Sequence, residues 1–330
     1  MATLKDLARE SGLSLTTVAS ILRGDRARFP ESTIRKVEAT AYKLKYRPNT
    51  VSRAMRKGHT GVILLVNGRR AGALTSVSVF LGGLMDAVSD EGWRLVVEQA
   101  DEPSEGHMGD LRFVKEQYYD GMILNIQSFQ KVAVEALEKA LNRFQVPAVW
   151  FNHKVDRGGV HPDEIGAGAA LADRLFQLGK RRIFFVGLGS KAIHFSAGDR
   201  RQGLLEAMEK NRQVLAGEAA TLTAASPGAE RSQFDRSLQW LRGDPDSVDA
   251  VVLSHEFLLP RFLLATGWDS SRLDRVCAFD CRAASLQNVP LRGTAIPWAA
   301  LGREAVAMLK SQRGHSSPKK SIILPHTLTL

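Results

Sequence analysis

From residue 61 onward the chain repeats one pattern: a short apolar run followed by a stretch with helical spacing. The runs are VILLV at 62, RLVVE at 94, GMILN at 121, PAVWF at 147, RIFFVG at 182, AVVLS at 250 and RVCAF at 275. Between them, segments such as residues 79–91 and 164–178 carry apolar residues on one helical face. Strand and helix in alternation require parallel strands joined by helical crossovers, so the body is α/β. With about ten strands in prospect, two Rossmann-like lobes fit better than one open sheet. Ligands of such sheets bind beyond the carboxyl ends of the strands. The residues placed there are Ser76 and Ser78 in a first loop, Asn125 and Gln127, Asn152 and His153, Arg200, His255 and Glu256, and Asp280.

Residues 1–60 obey a different rule. The net charge of +10 is concentrated there: 13 Lys/Arg stand against 5 Asp/Glu, whereas residues 61–330 hold 32 against 30. A charge that served only solubility has no reason to gather in one fifth of the chain, whereas a phosphate-contacting module does. Disorder is excluded by the 44% apolar and 24% charged composition. Thr3 and Asp6 form a capping-box pair ahead of Leu4, Leu7 and Ala8, and this first helix runs to about Ser11. Gly12 can take positive φ, Leu13 plugs the corner, and Ser14 is a good N-cap for a second helix with Val18, Ile21 and Leu22 inward. The small Ala8 lets two helices cross closely at a tight turn. A third helix follows Pro30, with Ile34, Val37, Ala41 and Leu44 as its inward stripe.

That arrangement turns Leu15, Thr16, Ala19, Ser20 and Arg23 outward. With Ser14 and Thr17 in the first turn, Leu15, Thr16, Ser20 and Arg23 are the candidate major-groove residues. An apolar or hydroxyl side chain suits a thymine edge, and Arg23 is a guanine reader. The competing reading is a short amphipathic helix with an inert solvent face.

The string TLKDLARESGLSLTTVASIL, followed by TIRKVEATAYKLKYRPN and VSRAM, closely resembles the head of the lactose-repressor/galactose-repressor (LacI/GalR) family over residues 3–57. That family repeats an Ala, a turn Gly, Ser-x-x-Thr-Val and Tyr-x-Pro-Asn in this order. The resemblance implies a hinge over residues 49–60 that becomes helical only on DNA, with Asn49, Ser52, Arg53, Met55 and Arg56 in or beside the minor groove. Met55 takes the position where the family carries a wedging leucine; methionine is apolar enough to unstack a base step but less stiff. Arg53, Arg56 and Lys57 offer phosphate contacts, against the alternative of a charged interdomain linker. A helix this short is marginal in water, so DNA and a partner subunit must order it. The loop at 23–28, RGDRAR, is one residue longer and more basic than the family pattern.

The same resemblance implies a periplasmic-binding-protein-like (type I) effector-binding and dimerisation body over residues 61–330, behind a helix-turn-helix domain of residues 1–48. Its chain is expected to cross between lobes near 158, 290 and 320, giving an N-lobe of about 61–157 and 291–320 and a C-lobe of about 158–290 and 321–330. Arg200 opens RRQG as the family's Arg-x-x-Gly does, which implies an arginine reaching the effector; a surface ion pair is the alternative. Asp280 matches a strand-end aspartate that binds sugar hydroxyls or a base, or else caps its turn. Asn152 falls at a lobe-edge Asp/Asn position. Trp298 either stacks on a sugar or packs in the core. The sequence departs from the family where an Asp-Asn pair reads His161-Pro162-Asp163, where an Asp becomes Glu256, and where a polar residue becomes Ile296.

Competing classes fare worse. Gly187-Leu188-Gly189-Ser190 lacks the further glycine or Lys-Ser/Thr of a phosphate loop and reads as a tight turn. No catalytic constellation stands out, so no enzyme, cofactor or metal is expected. Cys277 and Cys281 form a C-x-x-x-C pair with no nearby ligand-spaced histidine and read as buried thiols. The opening MATLKDLARE is charged where a secretory apolar region would lie, and no run of ~18 apolar residues occurs, so a cytoplasmic protein without membrane contact is expected. The expected function is a homodimeric transcriptional repressor on pseudo-palindromic operator DNA, controlled by a small-molecule effector, a sugar or sugar derivative first among candidates. No leucine heptad closes the chain, so a coiled-coil tetramer is not expected.

Overall fold

The computed structural model describes residues 2–48, 58–68, 74–102, 112–116, 118–126, 129–188, 194–221, 229–281, 291–312 and 318–329, with the side chains of 74–79, 220–221 and 229–233 left aside. The chain divides into two compact units, Met1–Thr60 and Gly61–Leu330.

In the first unit, α1 (Leu4–Ser11), α2 (Leu15–Leu22) and α3 (Glu31–Lys43) pack around Leu7, Val18, Ile21, Ile34 and Val37. The capping box forms: Thr3 N donates to Asp6 Oδ2 at 2.9 Å and Asp6 N to Thr3 Oγ1 at 3.2 Å. Gly12 ends α1 in the left-handed region at φ 64°, where a side chain would be strained. Thr17 N donates to Ser14 Oγ at 3.1 Å, starting α2 four residues later. Ala8 sits half-buried against this core, as the tight corner requires.

The second unit holds two six-stranded sheets. The first is ordered β11-β5-β4-β3-β1-β2, from β1 (Val62–Gly68), β2 (Arg94–Ala100), β3 (Gly121–Asn125), β4 (Ala148–Phe151), β5 (Gly159–Pro162) and β11 (Ile322–Leu324). The second is ordered β12-β10-β9-β8-β6-β7, from β6 (Ile183–Leu188), β7 (Gly217–Thr221), β8 (Ala250–Leu253), β9 (Val276–Ala278), β10 (Arg292–Ala295) and β12 (Thr327–Leu328). Every pairing is parallel except β10 with β12. The crossovers are α4 (Leu74–Asp90), α5 (Arg112–Lys115), α6 (Lys131–Phe144), α7 (Glu164–Gln177), α8 (Ser196–Lys210), α9 (Ala229–Gly243), α10 (Leu259–Thr266) and α11 (Trp298–Gln312).

All seven apolar runs became strands; six are buried along most of their length, while β2, at the edge of its sheet, leaves Val96 and Val97 exposed. In β1, Ile63 and Leu65 join the core under α4 and α11, while Leu64 and Val66 join the core under α6. Adjacent side chains thus serve opposite faces of one sheet, which is why the run is continuous rather than alternating.

The lobe crossings fall later than the sequence indicated. Strand β5 stays in the first sheet and α7 packs on the second, so the first crossing is at 163, not near 158. Strand β10 belongs to the second sheet and α11 to the first lobe's core, moving the second crossing from near 290 to 296–297. The third lies at 325–326, between β11 and β12, not near 320. The cause in each case is a short strand that continues its sheet past the visible apolar run. Among the described residues, no helix is long and apolar enough to cross a membrane.

Candidate nucleic-acid interface and ligand cleft

On the head, Ser14, Leu15, Thr16 and Arg23 are exposed, while Thr17 and Ser20 are partly so. Burial of Val18 and Ile21 forces this face outward, and Leu15 remains 42% exposed despite its apolar side chain. The hydroxyls of Thr16 and Thr17 both lie 2.8 Å from Ser14 Oγ, and Arg23 Nη2 donates to Ser20 Oγ at 2.8 Å. The first turn is therefore ordered by its own hydroxyls, and Arg23 is held at the far end of the helix.

The head's acidic residues are all engaged. Asp6 pairs with Arg9, Glu10 with Lys43, Asp25 with Arg28, Glu31 with Arg35 and Glu38 with Arg26. Hydrogen bonding to Lys43 and its charge hold the Glu10 carboxyl below its usual range. Lys5, Arg23, Lys36, Lys45 and Arg47 have no carboxylate partner among the described residues. These cations are the ones available to phosphate. Asn49, Ser52, Arg53, Met55 and Arg56, the hinge candidates, lie outside the described residues.

In the body, residues beyond the carboxyl ends of the two sheets are joined from lobe to lobe. His194 Nε2 lies 3.1 Å from the Asn152 carbonyl oxygen, so this nitrogen is the donor. His194 Nδ1 is 2.7 Å from Ser196 Oγ, and Ser196 Oγ lies 3.4 Å from His255 Nε2. Trp298 Nε1 donates to Asp280 Oδ1 at 3.0 Å, and Lys154 pairs with Asp199 at 2.7 Å. Five of the chain's eight histidines, His153, His161, His194, His255 and His326, contribute to this region. Burial pulls His194 down to about 4 against a partly opposing bond to Asn152, and holds His255 well below its ordinary value with help from the Arg200 charge. Burial likewise lowers His153.

Arg200 and Glu164 form a fully buried pair, with side chains 2% and 1% exposed. Arg200 Nε donates to Glu164 Oε2 at 2.5 Å and Nη2 to Oε1 at 2.8 Å, while Nη1 donates to the Ser254 carbonyl at 2.7 Å. The guanidinium also lies over the Phe279 ring, 5.4 Å from its centroid. Burial alone would raise Glu164; the Arg200 charge and its two hydrogen bonds, with His326 close by, outweigh it and hold the carboxyl ionised. His326 Nε2 lies 3.2 Å from Glu164 Oε2, and its Nδ1 is 2.9 Å from Thr294 Oγ1. His326, beside the third lobe crossing, thus meets Glu164, beside the first, and Thr294, just before the second, stands behind His326. The pair forms because α7 and α8 touch backbone to backbone: a Cβ on Gly168 would overlap the Arg200 carbonyl, and one on Gly203 the Ile165 carbonyl.

Asn152 and Asp280 share a backbone signature. Both hold positive φ, 51° and 60°, which Asn and Asp tolerate better than other side chains and which is concentrated at functional positions. Asn152 is buried, and its Oδ1 has no hydrogen-bond donor among the described residues.

Measured against the sequence expectations, Asn152, His153, Glu256 and Asp280 lie just beyond strand ends, whereas Arg200 stands inside α8. Arg200 is committed to an internal carboxylate rather than open. Ser76 and Ser78 stand in the first turns of α4, not in a loop, because the helix begins at Leu74; their side chains are outside the described set, as is Gln127. Asn125 donates to Asn67 Oδ1 at 2.7 Å, joining the ends of β3 and β1. Trp298 packs, its ring 6.3 Å from both Phe80 and Phe151. Asp163, placed with His161 and Pro162 as a departure, caps α7 through Gly166 N at 2.9 Å. Glu164, His194, Ser196 and His326 were missed; only Glu164, one residue beyond the altered motif, stood near a signal. Cys277 and Cys281 are free and buried, and burial pushes both thiols up to about 12.

No family model matches the chain. It is 26% identical over 221 residues to the "HTH-type transcriptional repressor PurR" of Erwinia tasmaniensis, covering 65% of this chain and 62% of that protein. It is 27% identical over 228 residues to the "HTH-type transcriptional regulator PtxS" of Pseudomonas plecoglossicida, covering 68% and 65%. These matches therefore span a little under two thirds of each relative. Among solved structures, the lac repressor dimer bound to operator and the anti-inducer ONPF superposes with TM-score 0.73 at 18% identity, covering 100% of this chain and 98% of that one. The regulator CelR in complex with cellobiose gives 0.62 at 20%, covering 100% and 99%. The structural likenesses show the fold, and over about two thirds of its length the chain is similar in sequence to proteins named as a transcriptional repressor and a transcriptional regulator.

Proposed function

We propose that this chain is a sequence-specific DNA-binding transcription regulator, acting as a homodimeric repressor in the cytoplasm, and not an enzyme. The observation that carries it is the head: a three-helix fold whose second helix exposes Ser14, Leu15, Thr16 and Arg23, ringed by cations that the head's own carboxylates leave unpaired. Base edges are read by such a helix face, and phosphates supply most of the affinity. Relatives named as repressor and regulator, and a structural neighbour that is a dimer on operator, support the assignment. So do the exposed apolar side chains Phe257 and Leu264, 63% and 82% accessible on the body, which a second copy would cover.

Residues 1–48 would read the major groove and residues 49–60 would form the hinge, with Met55 of each subunit at the central minor-groove step. Residues 61–330 would bind the effector and dimerise. The effector would occupy the interlobe cleft, reaching Asn152, His153, Glu256 and Asp280; neighbours bound to cellobiose and ONPF support a sugar or sugar derivative. Binding that favours one lobe angle shifts the paired hinges, and operator affinity changes by the differential binding free energy.

Titration of the full chain against a duplex by fluorescence anisotropy tests the electrostatic footprint. Between 50 and 200 mM salt, affinity should fall by about 10³ or more for ~6–10 phosphate contacts, and Lys36→Ala should flatten the log–log slope by about 0.9 per head. A salt-independent affinity would reject the assignment.

A further inference from the structure

The exposed face of α2 sorts its polar groups into two kinds. Ser14, Thr16 and Thr17 spend hydrogen bonds on one another, both threonine hydroxyls lying 2.8 Å from Ser14 Oγ. Farther along the helix, Arg23 Nη2 donates to Ser20 Oγ at 2.8 Å. Four other arginines of the head are each paired with a carboxylate: Arg9 with Asp6, Arg26 with Glu38, Arg28 with Asp25 and Arg35 with Glu31. Arg23 is held instead by a neutral hydroxyl, which fixes its direction and leaves its charge uncompensated among the described residues.

Direction matters because Arg23 stands at the very end of the helix. It is the C-cap of α2, at φ −84° and ψ −10°. An unrestrained arginine there samples many rotamers and serves any phosphate within reach. Ser20 lies three residues earlier, so the two side chains share a face, and its hydroxyl draws the guanidinium back toward the turn that carries Thr16. A guanidinium carries five N–H donors. Whichever Nη2 hydrogen Ser20 takes, one edge with two parallel donors is left whole, either Nε with Nη2 or Nη1 with Nη2. Two parallel donors match the paired O6 and N7 acceptors that guanine presents in the major groove.

We infer that Ser20 is a positioning residue: it turns Arg23 from a phosphate contact into a guanine reader, so that each operator half carries a guanine opposite the carboxyl-terminal end of α2. This rests on the DNA-reading role proposed for the head and names the base that one of its side chains selects.

Competition anisotropy with the full chain tests it, on the duplex that the wild type selects from a randomised library and on versions carrying each other base at the guanine. Arg23→Ala should lose about 10-fold or more of the guanine preference, the size of one bidentate contact, and should also bind a scrambled duplex more weakly. Ser20→Ala should lose about 3- to 10-fold of that preference, the size of one hydrogen bond, while its affinity for the scrambled duplex stays unchanged because the cation is still present. Alanine is the better helix former, so α2 keeps its fold in this variant. Ser20→Thr, which retains the hydroxyl, should keep the preference. A selected motif whose guanine preference survives Ser20→Ala but not Arg23→Ala would overturn the positioning role, and one that survives Arg23→Ala would overturn the guanine contact itself. A wild type that selects no motif would overturn the DNA-reading role, and this inference with it.

Discussion

Lowering the pH from 7 to 5 puts the strongest load on His194. Its Nε2 donates to the Asn152 carbonyl at 3.1 Å and its Nδ1 sits 2.7 Å from Ser196 Oγ, so the ring spans the two lobes as a neutral imidazole. Burial lowers its folded pKa to about 4 from an ordinary 6.5. Because the folded value is the lower one, the unfolded chain takes the proton first. The neutral ring's stability is complete above pH 6.5 and is lost as pH falls from there toward 4. The linkage relation gives a loss of about 2 kcal/mol between pH 7 and pH 5 for this one group. His255, lowered in the same direction, adds to the wild-type loss. Glu164, held far below its usual range, stays ionised throughout this window. Urea unfolding of the wild type and of His194→Gln at both pH values isolates the effect, since glutamine can still donate to the carbonyl but does not titrate. The variant should lose about 2 kcal/mol less than the wild type on acidification. Equal losses in the two proteins would refute the role given to His194.

Three further outcomes follow from the geometry. Ser14→Ala removes the N-cap of α2 and should cost about 1 kcal/mol of head stability by urea unfolding, leaving the body's transition unchanged. Gly203→Ala places a methyl against the Ile165 carbonyl, so it should force α7 from α8 and lower the body's Tm by several degrees; an unchanged Tm would contradict the close approach of those helices. Met55→Gly should weaken specific operator binding far more than nonspecific duplex binding in competition assays, and equal losses would reject a wedge at the minor groove.

The elements that sequence made legible are those whose physics is local. The caps at Thr3 and Ser14, the Gly12 turn and the inward stripes of the head involve residues a few positions apart, and each formed at its expected place. The seven strands with continuous apolar runs were equally clear. Strand β5, Gly159–Pro162, was not, because its glycine and proline dilute any strand signal, and its omission displaced the first lobe crossing. The Arg200–Glu164 pair spans 36 positions, and the contact of Glu164 with His326 joins the first crossing to the last. No periodicity reports such a meeting. The arginine's type and position were readable from RRQG, but its partner depends on two glycines that let α7 and α8 touch.

The most direct measurement is selection by the purified full chain from a randomised duplex library at low ionic strength, with and without added sugars. A cationic head that reads base edges through Leu15, Thr16, Ser20 and Arg23 should enrich a two-fold symmetric motif, and Arg23→Ala should relax it at one position in each half. Recovery of no motif under any condition would contradict the assignment of this chain as a sequence-specific regulator.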